Sequence, residues 1–155
     1  MCRESVFNTL LFRTFELIIR NLLVTTSDSM HVPYIIVAED CEYNQLLFGK
    51  MLQQLGYTSD CACDGEELIR LLRTSSPDLI LLDIEMPVMN GFEAIRQIRE
   101  GNSGIENNIP VIALTGYDDD SLLKKINDSG FSDYLSKPVT RKMLKEKIDL
   151  FLNPG

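Results

Sequence analysis

The sequence predicts an α/β fold: one doubly wound parallel sheet of five strands, with five helices covering both of its faces. Three observations carry that prediction. Short apolar runs recur five times, each followed by a segment with helical spacing, the pattern of consecutive strand–helix units. The run Leu79-Ile80-Leu81-Leu82 is apolar without interruption and is bounded by Pro77 and Pro87, as expected of a strand buried on both faces. It ends in Asp83, a carboxylate at the strand end where open α/β sheets place their chemistry.

Composition sets the limits. The 155 residues suit one domain with a substantial core, and 45% apolar with 25% charged residues is ordinary for a soluble protein. A net charge of −8 argues against nucleic-acid binding through a basic surface. Glu4, Glu16 and Asp28 balance Arg3, Arg13 and Arg20 within residues 1–29, so the acidic excess belongs to the remainder. Cys2, Cys41, Cys61 and Cys63 lack zinc-site spacing and read as free thiols of a reducing cytoplasm. His31 is the only histidine, which leaves little for a Ser–His–Asp mechanism. No small-residue cleavage site follows the first apolar segment, so no secretory signal is read there.

Residues 6–24 read as a helix with Thr9, Arg13, Glu16 and Arg20 on one narrow face. Charges in mid-segment argue against a membrane span. A dimer contact, an interfacial helix, docking on the domain, and upstream sequence ahead of a start at Met30 all stay open. A polar linker follows, giving an N-terminal extension over 1–31 and a main domain over 32–153.

From Tyr34 the alternation is regular. Tyr34 to Ala38 is a buried strand followed at once by Glu39-Asp40. Glu42 to Leu55 is a helix, with Tyr43, Leu47, Met51 and Leu55 as its inward stripe and Gly56 as its stop. Tyr57 to Ala62 is a more polar strand suited to a sheet edge, and Asp64-Gly65 opens a helix through Leu68, Leu71 and Leu72. After the central strand, Asn90-Gly91 turns the chain into a helix on Phe92, Ile95 and Ile98. Ile109 to Leu114 is a strand ending in Thr115-Gly116, and Asp118 to Ser129 is a helix stopped by Gly130. Ser132 to Leu135 is a short strand leading to Lys137-Pro138. Thr140 to Leu152 is an amphipathic helix on Met143, Leu144, Ile148 and Phe151.

Polar residues thus stand beyond the ends of four strands: Glu39-Asp40, Asp83, Thr115 and Lys137. In a doubly wound sheet these ends share one edge. Crowded carboxylates repel unless a cation joins them, and oxygen ligands with room for water suit Mg²⁺ better than zinc. A lysine and a hydroxyl at the same edge suit the oxygens of a phosphoryl group. Neither a Walker pattern nor Gly-x-Gly-x-x-Gly is present, so the phosphate arrives on a donor and a carboxylate is the nucleophile.

These pieces resemble the response-regulator receiver domain of two-component signalling over residues 34–152. The resemblance rests on Val37-Ala38-Glu39-Asp40, Leu82-Asp83-Ile84-Glu85-Met86-Pro87-Val88-Met89-Asn90-Gly91, Ala113-Leu114-Thr115-Gly116 and Asp133-Tyr134-Leu135-Ser136-Lys137-Pro138. Glu42-Tyr43-Asn44-Gln45 makes the chain most similar to receivers of hybrid sensor histidine kinases. The resemblance implies a flavodoxin-like sheet of order 2-1-3-4-5. It implies that Asp83 accepts a phosphoryl group from a phosphohistidine. Glu39, Asp40, Asp83 and the backbone carbonyl of Glu85 then hold Mg²⁺, with Mn²⁺ as a substitute and Glu39 acting through water. Lys137 pairs with the phosphoryl oxygens, Thr115 binds the phosphate after transfer, and Tyr134 follows it inward as a rotameric switch. Lys137-Pro138 is expected to be cis.

The implied donor is a histidine kinase or a histidine phosphotransfer protein. The sequence ends soon after its last predicted helix, so the expected output is protein contact, without nucleic acid or a membrane span and with dimerisation open. Its surface is expected on residues 118–151, where Lys124, Lys125, Arg141, Lys142, Lys145 and Lys147 form either a docking surface or a plain solvated face. The chain is then no enzyme beyond its own phosphorylation and dephosphorylation. Glu85 and Tyr117 flank the route for attacking water, and Cys41 stands where many relatives carry Asn or Asp. Two alternatives compete. An aspartate-dependent phosphohydrolase is suggested by Asp83-Ile84-Glu85 but lacks the second Asp and the cap domain; the other is a binding module that is never phosphorylated.

Overall fold

The computed structural model describes residues 31–101, 105–117 and 119–152, so the helix expected over 6–24 lies outside the described residues. The apolar runs become strands β1 (Tyr34–Ala38), β2 (Thr58–Ala62), β3 (Leu79–Asp83), β4 (Val111–Thr115) and β5 (Asp133–Ser136). Between and after them come α1 (Glu42–Gln54), α2 (Gly65–Leu72), α3 (Gly91–Arg99), α4 (Asp120–Asp128) and α5 (Arg141–Leu152). All pairings are parallel and the order is β2-β1-β3-β4-β5. Every residue of β3 and β4 is buried. In β2, whose burial is broken by exposed Thr58, Asp60 and Cys61, polarity is tolerated because the strand forms the sheet's edge.

The alternation of side chains along each strand divides the core in two. Ile36, Ala38, Ile80, Leu82, Val111 and Ala113 face α2, α3 and α4, meeting Leu68, Ile95, Ile98 and Ile126. Ile35, Val37, Leu79, Leu81, Ile112 and Leu114 face the other way, meeting Phe48 and Leu52 of α1 and Leu144 and Ile148 of α5. Fully burying a side chain of this size contributes about 1.5–3 kcal/mol relative to leaving it exposed.

Local signals fix the helix ends. Asp64 caps α2 by accepting from the Glu67 N–H, and Asp119 caps α4 by accepting from the Leu122 N–H. Asn90 and Glu93 form a reciprocal capping box at the start of α3. Gly56 lies at φ +88, the left-handed position that stops α1 without a Cβ penalty.

The inward stripe of α1 differs from the expectation. Tyr43 is 72% exposed and Leu47 41%, whereas Phe48, Met51 and Leu52 are buried and Leu55 packs against the same cluster. The helix carries apolar residues on too much of its circumference for spacing to select a face. Packing on Val37 and Leu81 makes the choice. The basic surface expected near the end of the chain is also more engaged than its sequence suggests. Lys147 is half-buried and bonded to Asp133 at 2.5 Å, Lys125 lies 4.0 Å over the Phe92 ring, and Lys145 pairs with Asp149.

Candidate functional site

The C-terminal ends of β1 and β3 are adjacent, so the residues that follow β1 meet the one that ends β3. Glu39, Asp40 and Asp83 offer carboxylate oxygens all within 4.8 Å of one another. Lys137, just past β5, reaches across: its Nζ lies 2.5 Å from Asp83 Oδ2 and 2.7 Å from Glu39 Oε2. The Lys137 N–H donates to the Thr115 carbonyl at 2.7 Å, which continues the β4–β5 ladder to the lysine, and Lys137-Pro138 is cis as expected. Four of the residues singled out in the sequence therefore converge.

Burial makes this convergence electrostatically tense. Glu39 is 1% exposed, Asp83 5% and Asp40 open to solvent. Burial pushes the Asp83 carboxyl above its ordinary value. Lys137 and the Glu85 N–H, 3.1 Å from Oδ1, oppose that rise without cancelling it, and the Glu39 charge adds to it. Burial would raise Glu39 as well, but hydrogen bonds from Lys137 and Asn44, the lysine charge and the Cys41 N–H together hold it below the usual range. Burial would lower Lys137, yet Asp83 and Glu39 keep its ammonium above the ordinary value and therefore charged. Three carboxylates facing one lysine leave about two negative charges to balance. An all-oxygen donor set with one solvent-facing member matches a hard divalent cation that keeps part of its water shell. The residues present fit Mg²⁺.

The remaining predicted residues are placed differently. Thr115 ends β4 beside this edge and is 2% exposed, but its hydroxyl is engaged locally. It donates to the Tyr117 carbonyl at 2.7 Å and accepts from the Tyr117 N–H at 3.1 Å. Tyr134 is half-buried, packs against the α2–α4 side of the core and has the Lys147 ammonium 5.7 Å from its ring centroid. The Glu85 side chain is exposed, and the residue's described contact with the cluster is its N–H to Asp83. Cys41, Cys61 and Cys63 are exposed free thiols.

The loop after Asp83 is tightly constrained. The Gly91 N–H donates to the Ile84 carbonyl at 3.0 Å, and a Cβ on Gly91 would meet the Asp83 carbonyl at 2.4 Å. Only glycine lets α3 begin this close to the strand that carries Asp83. Val88, at φ +64, occupies the left-handed region that β-branched residues avoid.

A family model described as the response regulator receiver domain matches residues 35–149. The chain belongs to that family. This receiver domain is 32% identical over 145 residues to the CAI-1 autoinducer sensor kinase/phosphatase CqsS of Vibrio cholerae, covering 94% of the chain but only 21% of that protein. It superposes on the receiver domain of the sensor histidine kinase PA1611 from Pseudomonas aeruginosa with a TM-score of 0.70. The two are 32% identical, with 77% of this chain and 97% of that one covered, and that structure has a magnesium ion coordinated in its active-site cleft. The Ssk1 receiver of Saccharomyces cerevisiae, solved with the histidine phosphotransfer protein Ypd1, matches with a TM-score of 0.72 at 27% identity, over 77% of this chain and 88% of that one. The sheet order is the flavodoxin-like one, and the function class is phosphorelay signal transduction. The phosphohydrolase and the bare binding module gain no support from these matches.

Sequence reasoning missed two residues that organise this region, and a third at the opposite edge of the sheet. Asn44 donates to Glu39 Oε1 at 3.0 Å, and Gln45 donates to the Glu39 carbonyl at 2.6 Å. Both lie in the stretch that carried the resemblance, which assigned them no role. Arg99 donates to the carbonyls of Asn107, Ile109 and Gly130 at 2.7–2.9 Å, and no sequence pattern marks it.

Proposed function

We propose that Asp83 accepts a phosphoryl group from a phosphohistidine in a Mg²⁺-dependent reaction, and that residues 32–153 are the receiver domain that then switches to control a protein partner. The observation that carries this reading is the Lys137 ammonium held between Asp83 and Glu39 inside a cluster of three carboxylates. In the transfer, the donor's N–P bond breaks and a bond forms between phosphorus and an Asp83 carboxylate oxygen. The donor imidazole leaves, and later hydrolysis returns inorganic phosphate and the free carboxylate. Asp40, Asp83 and the Glu85 carbonyl would hold the cation, with Glu39 acting through water and Mn²⁺ as a substitute. The cation supplies charge compensation for the incoming phosphoryl oxygens. The Glu85 N–H and Lys137 orient the Asp83 carboxylate, and Lys137 moves to the phosphoryl oxygens as they arrive.

The added group brings roughly two negative charges and three acceptor oxygens. To reach it, the Thr115 hydroxyl gives up both its bonds to Tyr117, which releases the β4–α4 loop, and Tyr134 turns into the space vacated. Residues 1–31 form an extension to this domain. The donor in this reading is the phosphohistidine of a histidine kinase or histidine phosphotransfer protein, whether on a separate chain or on another part of the same one; the only histidine in the sequence, His31, lies in the linker. Exposed Tyr43, Leu46, Val88 and Tyr117, on the elements that follow β1, β3 and β4, suit a protein rather than a small-molecule donor. The setting is cytoplasmic, and no helix among the described residues is long and apolar enough to cross a membrane.

The test uses a histidine phosphotransfer protein loaded with labelled phosphate, followed by borohydride reduction of the acyl phosphate and peptide mapping. Label on this chain with reduction confined to Asp83 is the expected result. Reduction at another carboxylate contradicts the assignment.

A further inference from the structure

We propose that Asn44 is a positioning residue of the carboxylate cluster: its hydrogen bond to Glu39 fixes that carboxylate and, through it, sets the affinity of the site for the cation. The proposal deepens the receiver reading and rests on it. Glu39 is the most enclosed member of the cluster, and its side chain is already committed. Oε2 accepts from Lys137 at 2.7 Å, while Oε1 accepts from Asn44 Nδ2 at 3.0 Å and from the Cys41 N–H at 3.3 Å. A carboxylate has about four acceptor positions, so these three bonds leave one and hold the Glu39 side chain in a single orientation toward the cluster. Asp40 is the contrast: its carboxylate is exposed and makes no hydrogen bond or ion pair with the described residues.

The grip on Glu39 comes from the first turn of α1. Cys41, at the N-cap, makes no side-chain capping bond. The helix is fastened to β1 through Glu39 instead, by Asn44 on the side chain and by Gln45 on the main-chain carbonyl at 2.6 Å. An amide suits position 44 because it donates without adding charge. A cation there would compete with the metal, and an aliphatic residue would leave a buried carboxylate oxygen short of a donor. Residues that orient groups around a metal typically cost 10–100-fold in affinity when removed.

The experiment measures the Mg²⁺ dissociation constant of the full chain by NMR titration without a phosphodonor, for wild type and for Asn44→Ala. The same substitution is then made in a Glu39→Gln background, and metal-free thermal unfolding of each variant checks the fold. Alanine favours the helix, and Asn44→Ser, too short to reach Glu39, is the second variant. The expected result is a dissociation constant raised about tenfold by either substitution in the wild-type background. In the Glu39→Gln background the change is no more than about twofold, because the two residues act as one unit. An unchanged constant in the wild-type background makes Asn44 a helix fastening only and overturns the proposal. An equal loss in both backgrounds also overturns it, by showing that Asn44 does not act through Glu39. Failure of the wild type to bind Mg²⁺ contradicts the receiver reading itself, and the proposal with it.

Discussion

At the scale of single residues, Lys137 decides whether the cluster is tolerable without metal. Among the described residues it is the only cation bonded to Asp83 and Glu39, and both partners are buried. Removing one member of a buried pair leaves charge without a counter-charge, which typically costs 3–5 kcal/mol. Lys137→Met is therefore expected to destabilise the metal-free protein by about 3 kcal/mol near neutral pH, measured by urea unfolding. The sign with pH follows from the shifts. Glu39, held low, contributes stability above the ordinary carboxylate range that is lost as pH falls through its depressed folded value. Lys137, held high, contributes stability that persists until pH rises through its elevated folded value. Asp83, pushed up by burial, works against the fold once ionised. The cost of Lys137→Met should accordingly shrink as acid protonates the carboxylates, Asp83 first. A cost independent of pH would contradict this account.

At the scale of elements, Arg99 shows how loops far apart in sequence are tied to one helix. From the end of α3 it bonds the carbonyls of Asn107 and Ile109 before β4 and of Gly130 before β5. Arg99→Met keeps much of the apolar stem but orphans three carbonyls, and we expect a loss of about 2 kcal/mol in chemical unfolding with Mg²⁺ binding unchanged. The strands were legible because burial on both faces leaves a continuous apolar run, as in Ile80 to Leu82 or Val111 to Leu114, and because each run stops at a polar residue. The polar second strand was legible as an edge for the converse reason. The α1 stripe was not, because Leu46, Leu47, Phe48, Met51 and Leu52 offer more than one plausible face and only the sheet selects among them. The acidic cluster with its lysine was legible because topology brings strand ends together. Asn44 and Arg99 were not, because a single polar residue on a helix has no signature until its partner across the fold is known. Thr115 was legible by position alone: that its hydroxyl is bonded to Tyr117 depends on how the loop turns after β4.

At the scale of the whole molecule, the acidic excess and the buried cluster together favour a folded state that binds a divalent cation. A ligand that binds only the folded form stabilises it by mass action, by about 2.7 kcal/mol at a hundredfold excess over its dissociation constant. Mg²⁺ is expected to raise the thermal midpoint of the wild type and to raise that of Asp83→Asn less, since the amide keeps an oxygen but loses the negative charge proposed to hold the cation. Equal shifts in the two proteins would place the cation elsewhere. Asp83 as the acceptor, served by the carboxylate cluster through a cation, is the reading on which the rest depends. The most direct test is intact mass after incubation with a small acyl phosphate, with and without Mg²⁺, for wild type and Asp83→Asn. One phosphoryl adduct that requires both Mg²⁺ and Asp83 is the predicted result. An adduct that persists in Asp83→Asn, or none under any condition in the folded wild type, would contradict it.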